Sequence, residues 1–152
     1  MTLQEQLATL SGTWEGTKHL WLRPGDPARL SPSVASVRSV AQGRFTVLEY
    51  TWADEGKPQD GVLLIGQESP SAPVVASWID SWHMGGRIMT CEGTSTPDGF
   101  SVQGTYAAPP GPDWGWRIAV RFEPDQTFTF LMTNITPDGV EAPAVEVRYT
   151  RR

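Results

Sequence analysis

Leu3, Leu7 and Leu10 recur at spacings of four and three, which gathers apolar side chains on one face of a helix. Thr2-Leu3-Gln4-Glu5 has the form of a capping box: the Thr2 hydroxyl accepts the Glu5 N–H, and the Glu5 carboxylate reaches back to the Thr2 N–H. Gly12 stands where a C-terminal cap belongs. The pattern predicts one short amphipathic helix over residues 3–10. Beyond Gly12 the apolar period drops to two, the signature of strands.

That alternation predicts strands near 13–22, 33–42, 45–53, 59–68, 74–81, 87–95, 99–107, 114–123, 127–135 and 144–151. Gly43-Arg44, Asp54-Glu55-Gly56, Pro97-Asp98-Gly99, Pro124-Asp125 and Pro137-Asp138-Gly139 punctuate them with turn chemistry at hairpin spacing. About ten short sequential strands predict an all-β fold, an antiparallel up-and-down meander, and closure into a barrel hides its edges. The Pro-rich stretches 23–32 and 107–113 are the longest connections; neither reads as a linker, and residues 1–152 form one expected domain. Strand eight is the clearest: Trp114, Trp116, Ile118, Val120 and Phe122 share one face, while Arg117, Arg121 and Glu123 share the other, which predicts solvated arginines. In strand three, Phe45/Val47/Glu49 alternate with Thr46/Leu48/Tyr50/Trp52, and both faces are mixed. Here Glu49 is expected inside, as a polar anchor.

The chain of 152 residues is 39% hydrophobic and 19% charged, a globular composition with room for a core. A net charge of −5, without a basic patch, argues against nucleic acid. Cys91 is alone, which excludes an intrachain disulfide and a cysteine-based metal cluster. His19 and His83 with scattered acids show no metal-ligand spacing, so no metal is expected. MTLQEQLATL lacks the basic and apolar regions of a signal peptide, and no apolar run is long enough to span a bilayer, which predicts a cytoplasmic protein off the membrane. Seven tryptophans are many for this length and suit a wide core or pocket walls.

One segment concentrates chemistry. SWIDSWHMGG, residues 77–86, holds Trp78, Asp80, Trp82 and His83 and ends in Gly85-Gly86. Trp78, Asp80 and Trp82 share a strand face: two aromatics flanking an acid can line a pocket that fixes one polar group of a ligand. The alternative is a core face with Asp80 paired to Arg87 or Arg117. Asp80 and His83 are three apart, so their side chains oppose on a flat strand and meet only if the chain turns at 81–83. Asp80 can equally cap that turn through backbone N–H groups, leaving His83 exposed at its tip.

Leu10-Ser11-Gly12-Thr13-Trp14-Glu15-Gly16, Gly43-Arg44-Phe45, Glu49-Tyr50, Gly61 to Gly66, Trp78-Ile79-Asp80-Ser81 and Glu146-Val147-Arg148-Tyr149-Thr150-Arg151 carry a resemblance. Together they resemble a bacterial family of uncharacterised proteins that is itself similar to the calycins, the barrel superfamily of lipocalins and fatty-acid-binding proteins. The resemblance implies that Trp14 closes the barrel floor with Arg148 or Arg151 as the cation over its ring. The nitrobindins, ten-stranded haem-binding calycins, also begin Gly-x-Trp-x-Gly, but their late histidine ligand has no counterpart after His83.

The leading functional expectation is a barrel that binds a small, mostly apolar molecule, without catalysis or a cofactor, through Glu49, Trp78, Asp80, Trp82 and His83. Two alternatives stand beside it. One is a small isomerase or hydrolase using Asp80, His83 or Glu49 as acid and base. The other is a haem barrel ligated by His19 or His83. The sequence does not specify the oligomeric state.

Overall fold

The computed structural model describes residues 1–152. Helix α1 (Leu3–Ala8) is followed by β1 (Gly12–Leu20), β2 (Arg29–Val40), β3 (Phe45–Asp54), β4 (Lys57–Gln67), β5 (Val74–Asp80), β6 (Met89–Thr96), β7 (Gly99–Tyr106), β8 (Trp114–Phe122), β9 (Phe128–Ile135) and β10 (Glu141–Arg151). Every strand pairs antiparallel with its sequence neighbours, and β1 closes the ring against β10. The fold is therefore a ten-stranded up-and-down closed barrel with a short N-terminal helix. No helix is long and apolar enough to cross a membrane.

The capping box forms as its residues require: Glu5 N–H donates to Thr2 Oγ1 over 3.2 Å, and Thr2 N–H donates to Glu5 Oε2 over 2.6 Å. The helix stops at Ala8, short of residue 10, and Thr9 is its C-cap. Gly12 serves the first strand instead. Its φ of +133° suits glycine, and a Cβ there would lie 2.9 Å from the Arg151 guanidinium.

Of the strands that begin earlier than the periodicity predicts, β2 and β10 do so by three residues or more, and both run through proline. Residues 29–33 of β2 pair with β1, while the β2–β3 ladder starts only at Val34. Pro32 thus sits on a stretch with one open flank, where its missing N–H disrupts no ladder on that side. In β10, Pro143 lies at a register shift against β9 between Pro143 and Val145, another position that tolerates proline.

One end of the barrel is sealed. Leu3, Leu7 and Leu10 are buried there, and Gln4 Nε2 donates to the Ile65 carbonyl while Thr46 Oγ1 donates to Gln4 Oε1. Trp14 is wholly buried (0%); its Nε1–H donates to the Leu10 carbonyl over 2.7 Å. Arg151 lies over the Trp14 ring, 4.3 Å from its centroid, and donates to the Ser11 and Thr9 carbonyls. Arg148, on the outer face of β10, pairs with Asp125. The floor cation is Arg151.

Above this floor, the inward positions form one continuous cluster of buried side chains, among them Leu48, Tyr50, Leu63, Ile65, Trp78, Ile118, Phe130, Met132, Val147 and Tyr149. Strand eight follows its alternation: Trp116, Ile118 and Val120 are buried, while Arg117 pairs with Glu141 and Arg121 with Glu123 outside. In β3 the face expected inside is the outer one. Thr46, Leu48, Tyr50 and Trp52 point inward, and Glu49 stands exposed, ion-paired to Arg38 on β2 over 2.7 Å. Glu49 is not an interior anchor. The apolar residues flanking it misled because Phe45 lies over Gly66 on the outer surface, where a Cβ on Gly66 would come within 2.6 Å of the ring.

Candidate functional site at the barrel mouth

Strand direction places the loops 21–28, 55–56, 81–88, 107–113 and 136–140 together at the end opposite the helix. SWIDSWHMGG crosses this mouth as the end of β5 and the turn that follows. Inward alternation on β5 runs Val74, Ala76, Trp78, Asp80, all buried. The chain then turns: the Met84 N–H donates to the Asp80 carbonyl over 3.0 Å, and Gly85 has a φ of +59°.

Asp80, only 2% exposed, organises the mouth from within. Its Oδ1 accepts the backbone N–H groups of Trp82 and His83, each over 2.9 Å. Its Oδ2 accepts the Tyr50 hydroxyl over 2.6 Å and Trp52 Nε1–H over 3.3 Å. Trp78 Nε1–H in turn donates to the Tyr50 hydroxyl over 2.9 Å. Tyr50 reaches the carboxylate by lying across Gly61, where any Cβ would sit 2.3 Å from the hydroxyl. Asp80 thus caps the turn, and its carboxylate faces the interior, where protein donors occupy it. Its partners are tyrosine and tryptophan, not the arginines considered as partners from the sequence.

Lys18, buried to 2% exposure, completes the polar cluster and was not singled out from the sequence. It follows Trp14 and Gly16 on the inward face of β1, a period-two signal that could have found it. Its Nζ lies over the Trp52 ring, 3.1 Å from the centroid. Burial pulls its pKa down to about 7, partly opposed by the negative charges of Asp80 and Asp54. Tyr50 is held well above its ordinary value, chiefly by burial and then by the Asp80 charge.

His83 does not stand exposed at the turn tip. It folds back into the mouth among four tryptophans, with ring centroids 4.7 Å from Trp82, 5.3 Å from Trp116, 5.7 Å from Trp78 and 5.8 Å from Trp52. Its link to Asp80 runs through the backbone N–H, so the two side chains do not form an acid–base pair. Burial lowers the imidazole pKa to about 4, with Asp80 opposing and Lys18 assisting. At neutral pH His83 is uncharged. Trp82 sits on the rim at 37% exposure, its Nε1–H donating to Asp54 Oδ2 over 3.1 Å. His19 is remote from this cluster, on the outer face of β1 beside Trp21.

A cavity of about 150 Å³ opens beside His83, lined by Trp78, Met84, Arg87, Met89, Tyr106 and Trp116 as well. A second space of about 130 Å³, under residues 20–24, also borders His83 and Trp116. Two buried polar atoms here have no partner in the protein: His83 Nε2 and Trp116 Nε1. Such orphans are uncommon in native interiors, where each unmade bond costs about 1–3 kcal/mol. Tyr106, by contrast, is engaged, its hydroxyl donating to Asn134 Oδ1 over 2.6 Å. Of the residues proposed from sequence, the mouth brings together Trp78, Asp80, Trp82 and His83 and leaves out Glu49. It adds Trp52, Tyr50, Lys18, Arg87, Tyr106 and Trp116.

The chain belongs to the family described as "Protein of unknown function (DUF1579)", whose model matches residues 2–151. No curated protein matches it. Among solved structures, the crystal structure of Rv2717c from M. tuberculosis is similar, with a TM-score of 0.64 at 11% identity, over 100% of this chain and 98% of that one. At that identity the likeness is one of fold.

Proposed function

We propose that this DUF1579 protein binds a compact, mostly apolar molecule at the barrel mouth, in the cavity that Trp78 and Trp116 border. One observation carries this reading: His83 and Trp116, two residues that line the cavity, each hold a buried ring nitrogen without a partner in the protein, and the other walls are aromatic rings, methionines and Arg87. Apolar walls with a few convergent polar atoms are the usual make-up of a small-molecule site. Methionine suits the role, since its flexible thioether adapts to the shape of a guest.

The volume favours a particular size. A cavity of about 150 Å³ lined by apolar side chains accepts benzene. A single ring with a short substituent therefore fits better than a long fatty acyl chain or a porphyrin, for which Trp78 and Trp116 would have to move. The floor arrangement of Trp14 and Arg151 is the one expected of a calycin, which supports a container role with access from the mouth. Asp80 already accepts four donors, so it serves this reading as a brace for Tyr50, Trp52 and the turn.

Thermal shift and tryptophan emission with toluene, indole and benzyl alcohol test the proposal. Saturable binding that Trp116→Phe weakens and Glu49→Ala leaves alone is expected. Binding unchanged by Trp116→Phe, or no binding by any ring-sized probe, would refute it.

A further inference from the structure

Arg87 is the only charged residue lining the cavity, and it makes no ion pair. No carboxylate lines the same space. The nearest acid along the turn, Asp80, points away into its own four hydrogen bonds and faces Lys18. Trp116 and Arg87 leave donors without a partner in the protein or an ion pair. Trp116 Nε1–H can only donate. A neutral His83 donates from Nε2 when that nitrogen carries its single proton, and Arg87 offers a guanidinium fork at the rim. Trp116 is 6% exposed, so its unmet donor is deep in the wall, not at the surface.

Two fixed donors, joined by a third when His83 carries its proton on Nε2, with no carboxylate beside them, select one polar end. We infer that the molecule taken up at the mouth is a small carboxylate, its anionic group set against Arg87, Trp116 Nε1–H and His83, and its ring or branched apolar body against Trp78, Met84 and Met89. This rests on the mouth-binding reading above and specifies the ligand class for it. Hydrogen bonds to an anion are shorter and stronger than neutral ones, and a guanidinium matches a carboxylate in two places. An alcohol of the same size meets the same walls but satisfies fewer of these donors and gains nothing from the guanidinium charge.

Isothermal titration of the full chain at neutral pH and low salt, with benzoate and benzyl alcohol as matched probes, tests the inference. Benzoate should bind about tenfold or more tightly than benzyl alcohol. Arg87→Gln, at an exposed rim position, should remove most of that preference by weakening benzoate far more than benzyl alcohol. Equal affinities in the wild type, or an equal loss for both probes in Arg87→Gln, would overturn the carboxylate assignment and leave mouth binding standing. Failure of both probes to bind would overturn both.

Discussion

Acidification should unfold this protein through His83 in particular, and the size of the effect follows from where the ring lies. An unfolded chain protonates this histidine near 6.5, whereas the folded chain does so only near 4, because charging the ring means charging it inside a ring of tryptophans. Between those pH values the unfolded state binds the extra proton, so stability falls as pH falls. At about 1.4 kcal/mol per pH unit, the 6.5-to-4 interval amounts to about 3 kcal/mol, a large share of a small domain's stability. His83→Phe keeps an aromatic ring in the cage and removes the titration. Urea unfolding at pH 7 and pH 4 of both proteins isolates the term, because exposed carboxylates such as Asp125 and Asp138 contribute alike to each. The wild type should lose about 3 kcal/mol more than the variant. Parallel losses would mean that His83 is hydrated and that the cage does not close around it.

Lys18 makes an analogous prediction at higher pH: with its folded value near 7 against 10.5 unfolded, stability should rise by about 1.4 kcal/mol per unit from pH 7 to 9. Lys18→Met should flatten that rise; a slope the same in both proteins would place the ammonium in solvent. Tyr50→Phe removes a donor from Asp80 and the acceptor of Trp78 Nε1–H, and should cost about 2–4 kcal/mol by denaturant unfolding. A loss below half a unit of that scale, about 0.5 kcal/mol, would show the network to be loose. Trp14→Ala should cost about 3–5 kcal/mol, as a large core deletion beneath Arg151, and a near-neutral effect would contradict the closed floor. Glu49→Ala, at an exposed ion pair, should change stability by less than about 1 kcal/mol.

The sequence made the barrel legible because most strands obey a two-residue period and end in Gly, Pro or Asp turns. Strand eight shows this well: its apolar face and its two arginines fall where the alternation puts them. Strand three shows the limit. Tyr50 and Trp52 belong to an interior that is partly polar, while Phe45 and Val47 cover the outside, so both faces carry mixed signals and Glu49 could be assigned to either. Only the ladder register, Glu49 opposite Ser36 and Val62, settles its direction. In SWIDSWHMGG, composition alone marked a site, but whether His83 pointed out or in depended on a turn held by Asp80. Lys18 was visible in principle through its spacing from Trp14. The cavity itself was not, because Arg87, Met89, Tyr106 and Trp116 converge from separate strands and loops, and no local pattern records that meeting.

The central claim is that a ligand enters the mouth cavity beside Trp78 and Trp116, and the indole N–H resonances test it most directly. The seven tryptophans give seven such signals, and Trp116 owns the buried one without a partner in the protein. Titrating labelled protein with benzoate should shift the Trp116 indole proton downfield as its hydrogen bond forms, with smaller changes at Trp78 and none at Trp14 beneath the floor. A Trp116 signal that stays in place while benzoate binds, or shifts confined to tryptophans away from the mouth, would contradict the account.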